Sequence, residues 1–374
     1  MLSFKVGEQY RQGWGGLAFI YGGSLICVPL LLIGSMIAGG LSLAGVAFCA
    51  VIGFLILFVY GCLVGIQSSD TGLPPAVLSA ESMGVLGARF VTGLLLSITS
   101  VGWFGVQSAA CGASFSVMAV DILGISIPAW ASTVFWGGAM TITAMLGFQA
   151  LKFLNYIMVP VLLLMLGYTV LSVLSGNGIS LTALLAYRPA ASISPTLGIS
   201  LTVGCFAMGG LITGDYCRYI RTRRGLILSF FISMVIIGPV VILSGAVFHI
   251  AAGNADMTAL LAGMGLPAMA LITLILSTWT TNVMNAYSGS IAVSVLLGLE
   301  ERRFKVTAAI TGSVGTILGA AGSLTRFLDF LSILSSLVPP LAGVIIAAYV
   351  VRIIRNKRSE NSGGRLASLV DKTV

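Results

Sequence analysis

Charge is what this sequence has least of: Asp, Glu, Lys and Arg make up 8% of its 374 residues, where an ordinary soluble domain carries about a quarter. At 57% hydrophobic residues, the chain cannot cover itself with polar surface in water, which excludes a soluble globular protein. There is a single histidine, His249, so His-based metal centres and Ser–His or Cys–His catalysis have little to build on. The six cysteines (Cys27, Cys49, Cys62, Cys111, Cys205 and Cys217) form no CxxC pair and lie in or beside apolar runs. That excludes a disulfide framework or a zinc site and leaves small buried hydrophobes. The acids, Glu8, Asp70, Glu81, Asp121, Asp215, Asp256, Glu300, Glu301, Asp329, Glu360 and Asp371, all fall in predicted loops, tails or helix ends, so no carboxylate is expected at a membrane midplane. The first ten residues, MLSFKVGEQY, lack the apolar core of a cleavable signal peptide, so the first apolar run is expected to be kept.

What is present is apolar length. A bilayer core of about 30 Å needs roughly 20 apolar residues per helical crossing. Runs of that order fall near 15–38, 42–67, 90–120, 128–147, 152–175, 195–217, 226–249, 266–297, 304–321 and 327–351. They predict an all-α integral membrane protein with about ten transmembrane helices. The organisation that follows is a 1–14 N-terminal segment, a 15–352 transmembrane domain and a 353–374 basic tail. Basic residues mark the cytoplasmic side of membrane proteins. Every Lys and Arg except Arg188 and Arg326 falls before an odd-numbered helix or after an even-numbered one, which predicts a cell (inner or plasma) membrane protein with both termini cytoplasmic. The same bias accounts for the net charge of +8 without a nucleic-acid partner.

Ten helices divide into two sets of five, about 15–175 and 195–352, and an odd number per set inverts the second relative to the first. Membrane proteins built this way hold solutes at the midplane, where the first helix of each repeat is broken. The first run carries Gly22, Gly23, Ser24 and then Pro29; the sixth carries Gly204, Gly209, Gly210 and Gly214. Proline removes a backbone donor, and the carbonyls it frees need a partner, either a cation or neighbouring hydroxyls. In the sixth run close packing explains the glycines equally well. The third and eighth runs, also equivalent in the two sets, concentrate polar groups beside Trp103 and Trp279. Trp103 and Gln107 share a helix face, as do Ser277 and Thr280 or Thr281. An indole beside a carboxamide suits a flat heterocycle that stacks and hydrogen-bonds along its edge. Interhelical hydrogen bonding is the bland alternative for each cluster alone.

These segments resemble the nucleobase:cation symporter-1 family, cytosine permeases most of all. The matching stretches are Val101-Gly102-Trp103-Phe104-Gly105-Val106, Gly214-Asp215-Tyr216 with Arg218, Trp279-Thr280-Thr281-Asn282, and Pro339-Pro340-Leu341-Ala342-Gly343-Val344-Ile345-Ile346, within a likeness running from about Gly15 to Arg352. The resemblance implies a leucine-transporter-type bundle of five-plus-five inverted repeats and, in many members, sodium as coupling ion, with no other cofactor. By position, sodium would be held by the main-chain carbonyls of Cys27, Leu30 and Ser277 and the hydroxyls of Thr280 and Thr281. The substrate would lie between Trp103 and Phe206, among Ser100, Gln107, Met208, Ser277 and Asn282. Asp215 and Arg218 read as an interfacial ion pair rather than transport residues.

Cytosine permeases place Gln three residues before the Trp, Ser two after the Phe and Asn three before the Thr pair; here those positions are Ser100, Met208 and Ser277. Gln107 instead resembles hydantoin and purine members. The implied function is import of a nucleobase or related pyrimidine-type heterocycle, cytosine-like or a hydroxymethylpyrimidine, with sodium by alternating access. The alternatives are a proton-coupled purine or hydantoin permease and a sensor on the transporter fold. An enzyme is not expected, because no buried nucleophile and base are at hand, and a channel would show a filter or a charge ring. The partners expected are the small-molecule substrate and the lipid bilayer, with no obligate protein partner. Family members usually have twelve helices, and the missing pair lies outside the repeats, so transport is expected to survive its absence.

Overall fold

Residues 4–322 and 327–370 are described by the computed structural model. Arg326, and the side chains of Asp329 and of the charged residues beyond Arg355, on which the sequence reading drew, lie outside the described residues.

The first apolar run is two helices, α1 (Gly15–Leu25) and α2 (Val28–Ala38), bent by 55° at the intervening pair. Cys27 is extended there, and Pro29 occupies the first turn of α2, where its missing N–H is no loss. Then α3 (Leu43–Thr71) starts on a Ser42 side-chain cap to the Gly45 amide. It ends four residues later than expected because Gly72, at φ 73°, supplies the left-handed stop that helices favour. A short α4 (Pro75–Leu78) and α5 (Ala80–Gly87) lead through a π-helical stretch, Ala88–Gly93, into α6 (Leu94–Leu123).

Next come α7 (Ala129–Met145), α8 (Phe148–Gly176) and the short α9 (Leu181–Ala186). The sixth run is α10 (Pro195–Leu211) followed by α11 (Thr213–Cys217), and Ile212 between them keeps near-helical angles (φ −73°, ψ −4°). This break is therefore slight, unlike that in the first run. The seventh run is α12 (Arg223–Phe230), a π-helical Phe231–Ile237 and α13 (Gly238–Ala252). The chain continues through α14 (Met257–Gly263), α15 (Pro267–Leu297), α16 (Phe304–Ala320) and α17 (Phe327–Val370).

Among the described residues six helices are long and apolar enough to cross a bilayer, and the bent α1–α2 pair makes a seventh. The other three expected crossings, α7, α10 and α16, have 17 residues each. At 1.5 Å per residue that is about 26 Å, slightly less than a typical hydrocarbon core. Large apolar side chains such as Phe135, Phe153 and Leu164 are exposed, as a lipid-facing surface requires.

Glycines set the closest helix crossings. A Cβ on Gly34 would strike the Ile242 carbonyl, and one on Gly245 the Leu31 carbonyl, so α2 and α13 touch backbone to backbone, as small residues allow in membranes. Elsewhere α15 packs on α6, α16 on α6 and α7, and α10 on α3.

The N-terminal segment folds back across one end of this bundle. The Val6 amide donates to the Gly72 carbonyl (2.9 Å), Gln12 and the Tyr219–Arg221 strip exchange main-chain bonds (2.8 and 3.0 Å), and Ser229 Oγ donates to the Trp14 carbonyl (2.8 Å). Phe4 is buried.

Candidate functional site

At the α1–α2 break four elements enclose a cavity of about 40 Å³. The break contributes Ser24, Cys27, Pro29 and Leu30, and α6 contributes Trp103 and Gln107. From α10 and its end come Cys205, Phe206, Met208, Gly209 and Ile212, and from α15 Thr281, Met284 and Asn285. By this measure a water needs about 10–15 Å³. The cavity thus has room for a few waters, and a heterocyclic ring requires its walls to part.

Trp103 and Phe206 both lie in the wall, each 8% exposed. Phe330 of α17 stands edge-on behind Trp103, with centroids 5.7 Å apart, and Tyr21 stands edge-on to Phe206 at 6.3 Å. Gln107 is fully buried, and neither its Oε1 nor its Nε2 has a hydrogen-bond partner. Leaving such groups unsatisfied costs about 1–3 kcal/mol each, so a ring edge with both a donor and an acceptor is the complement this wall calls for.

Of the residues expected at the substrate, Trp103, Gln107, Phe206 and Met208 line the cavity, and Ser100, Ser277 and Asn282 do not. Ser100 is buried against Gly289 of α15, its Oγ unpartnered. Ser277 Oγ donates to the Leu274 carbonyl (3.1 Å). The Asn282 amide braces α15 to α6, donating to the Phe104 carbonyl (3.1 Å) and Ser108 Oγ (2.9 Å). Asn285 occupies the wall instead. It follows Thr281 by four residues, so extending the Thr281 face by one helical turn finds it. Trp279 turns away, its indole donating to Thr143 Oγ1 of α7 (3.2 Å).

Oxygen atoms gather where α1 ends against α15. The Thr280 hydroxyl lies 3.3 Å from the Gly23 carbonyl and 3.2 Å from the Ser277 carbonyl, and the Thr281 hydroxyl 3.0 Å from the latter. The carbonyl of α1 that meets Thr280 is thus that of Gly23. The Cys27 carbonyl accepts from the Leu31 amide (3.4 Å). Hard cations take such oxygen sets, and the residues present fit sodium. No cluster of three or more His, Cys, Asp or Glu suited to a metal ion occurs among the described residues, and all six cysteines are free and buried.

The end crossed by the N-terminal segment corrects one expectation. Arg218 and Asp215 are not an interfacial pair: they are 1% and 2% exposed. The Arg218 guanidinium donates to the Phe4 carbonyl (2.6 Å) and the Tyr287 hydroxyl (2.9 Å) and faces Glu301 at 3.6 Å. It reaches Asp215 only at the main-chain oxygen (3.1 Å). The N-terminal segment, which covers the arginine and offers it a carbonyl, is the reason. Burial pushes the Glu301 carboxyl above its ordinary range, with Arg218 opposing the shift.

The chain matches, over residues 6–363, the model of a family described as permeases for cytosine/purines, uracil, thiamine and allantoin. It is 30% identical to the cytosine permease of Escherichia coli K12 over 346 residues, which are 92% of this chain and 80% of that one. The allantoin permease of Bacillus subtilis 168 is 23% identical, over 92% of this chain and 76% of that one. Among solved structures, a nucleobase-cation-symport-1 family transporter in a closed conformation with bromovinylhydantoin bound superposes with a TM-score of 0.82 at 20% identity, over 92% of this chain and 79% of that one. A sodium-coupled sialic acid symporter in a substrate-bound outward-open state gives 0.65 at 10% identity, over 93% and 80%. These likenesses establish the all-helical, leucine-transporter-type fold, and the relatives are permeases and transporters, not enzymes.

Proposed function

The chain belongs to the family of permeases for cytosine/purines, uracil, thiamine and allantoin, and from that premise we propose that it is a sodium-coupled importer of a nucleobase or closely related pyrimidine-type heterocycle. The single observation that carries the reading is the buried, wholly unpartnered carboxamide of Gln107 in a cavity wall shared with Trp103 and Phe206. Two aromatic faces supply stacking, which tolerates many ring identities. Gln107, with Asn285 one wall away, reads the ring edge and rejects analogues that leave its donor or acceptor unpaired. Asn282 then acts behind the wall, holding α15 to α6 through the Phe104 carbonyl and Ser108, with Ser100 packed against Gly289 of α15 and the Ser277 hydroxyl bonded within α15.

Sodium in this proposal is held by the Gly23 and Ser277 carbonyls and the Thr280 and Thr281 hydroxyls, with the carbonyls freed at the α1–α2 break completing the shell. The Gly23 carbonyl, which meets Thr280, joins those of Cys27 and Leu30 that the family resemblance implies. Thr281 belongs to both the oxygen cluster and the cavity wall, so ion and solute share a residue and each strengthens the other's binding. The distribution of Lys and Arg supports a cell-membrane protein with both termini in the cytoplasm. A melting-temperature screen of the purified chain against nucleobases, hydantoins and thiamine precursors, with and without sodium, tests ligand class and coupling together. A ligand at 100 times its Kd stabilises by about 2.7 kcal/mol. The proposal expects a nucleobase or pyrimidine to raise the melting temperature, and to do so more strongly in sodium than in choline. Equal shifts in both salts would remove sodium from the account.

A further inference from the structure

One turn beyond the cavity the chain buries a carboxylate that transport, as proposed, does not use. Ile212 lines the cavity and Asp215 follows it by three residues, towards the end that the N-terminal segment crosses. Asp215 is 2% exposed and its Oδ1 has no hydrogen-bond partner. An ionised carboxylate withdrawn from water needs partners on its oxygens, whereas the protonated acid is neutral and gains a donor.

The Ser288 hydroxyl and the Arg218 charge both act on the Asp215 carboxyl, but no group around it supplies a partner for Oδ1. Its own segment brings Tyr216, Cys217 and Arg218; α1 brings Tyr21; α3 brings Cys62, beside Cys217; α15 brings Tyr287 and Ser288; α4 brings no titratable group. Asp70, at the end of α3, is engaged by Arg223 and Tyr349. The one cation in this set is Arg218, and among the described residues its side-chain ion pair is with Glu301. Its other bonds go to Phe4 and Tyr287.

The surroundings also form a seal. Tyr21 donates to the cavity-lining Gly209 carbonyl (3.2 Å) and bonds Thr213 (2.9 Å), while Tyr216 donates to the carbonyl of cavity-lining Met284 (2.8 Å). Arg218 fixes the N-terminal segment across the outside through Phe4. Asp215 lies between these two layers, 2% exposed.

We propose that Asp215 is a proton-binding site of this seal: it holds a proton while the Tyr21, Tyr216 and Arg218–Phe4 contacts are closed and releases it to water on the N-terminal side when they part. The proton comes from that side and returns to it, so no net proton crosses the membrane. Acid conditions there favour the sealed form. The effect on transport rests on the permease reading above; the proton site itself does not.

Infrared spectra of the purified full-length protein, recorded while pH is raised, test the site directly. Wild type should show a protonated-carboxyl C=O band that titrates away, D215N should lack it, and D215E should move it in frequency. Superposable wild-type and D215N spectra in that region would overturn the proposal, as would an unmoved band in D215E should D215N fail to fold. Glu301→Gln leaves Arg218 less neutralised, so the band should vanish at lower pH; an unchanged titration would refute the electrostatic link. In proteoliposomes, exchange of labelled cytosine should slow in acid for wild type, and D215N should lose that dependence. A titrating band without any exchange would sink the permease reading and spare the proton site; exchange without the band would do the reverse.

Discussion

Buried carboxamides almost always find partners, which makes Gln107 the most informative single residue in the chain. Replacing it with the similarly sized leucine removes two unsatisfied polar atoms, so Gln107→Leu should leave thermal stability unchanged or raise it by about 1 kcal/mol. Cytosine binding should weaken by about tenfold or more, the worth of one lost hydrogen bond at 1.4 kcal/mol per decade. A stability loss with binding intact would show that the amide is structural. Trp103→Ala should instead remove about 1–3 kcal/mol of stacking from every flat ligand alike, lowering affinity without reordering preference, which competition among cytosine, uracil and hypoxanthine measures. Trp103 and Gln107 were legible in the sequence because they stand one helical turn apart, and Phe206 and Met208 through family resemblance. The sequence pointed to Asn282 and missed Asn285, since both lie on α15 and only the packing of α6 decides which amide is spent on the Phe104 carbonyl and which reaches the cavity.

Among the elements, the broken first helix was readable because proline has a fixed consequence, and the bend falls immediately before Pro29. The glycines of the sixth run carried no such signal. A Cβ on Gly214 would meet Ser68 and Pro75, so that glycine serves packing, and α10 passes into α11 with little deviation. The burial of Asp215 and Arg218 was not legible, because it depends on the N-terminal segment from Phe4 onward returning across the bundle, a contact no local pattern encodes. The α2–α13 crossing gives a sharp test at this scale. Gly34→Val forces a side chain into the Ile242 carbonyl and should lower stability by about 1–3 kcal/mol, the usual cost of overpacking, while Gly343→Val, with open space around it, should melt with wild type. Equal melting of the two variants would contradict the crossing.

For the molecule as a whole, the proposal divides the labour between a bent pair at the cavity and the helices α6, α10 and α15 that complete its wall. The distribution of basic residues predicts the orientation, and reporter fusions should place both termini in the cytoplasm; an N-terminus on the opposite side would reverse every statement about sides. One sodium ion entering down about 100 mV releases about 2.3 kcal/mol, enough for roughly a 50-fold solute gradient before any sodium gradient is added. The central claim is that this coupling runs through the oxygens shared by α1 and α15. The most direct measurement is uptake of labelled cytosine into proteoliposomes under an inward sodium gradient, compared with a proton gradient in sodium-free buffer, for wild type and Thr281→Ala. The account predicts accumulation that requires sodium and collapses in the variant; full accumulation without sodium would contradict it.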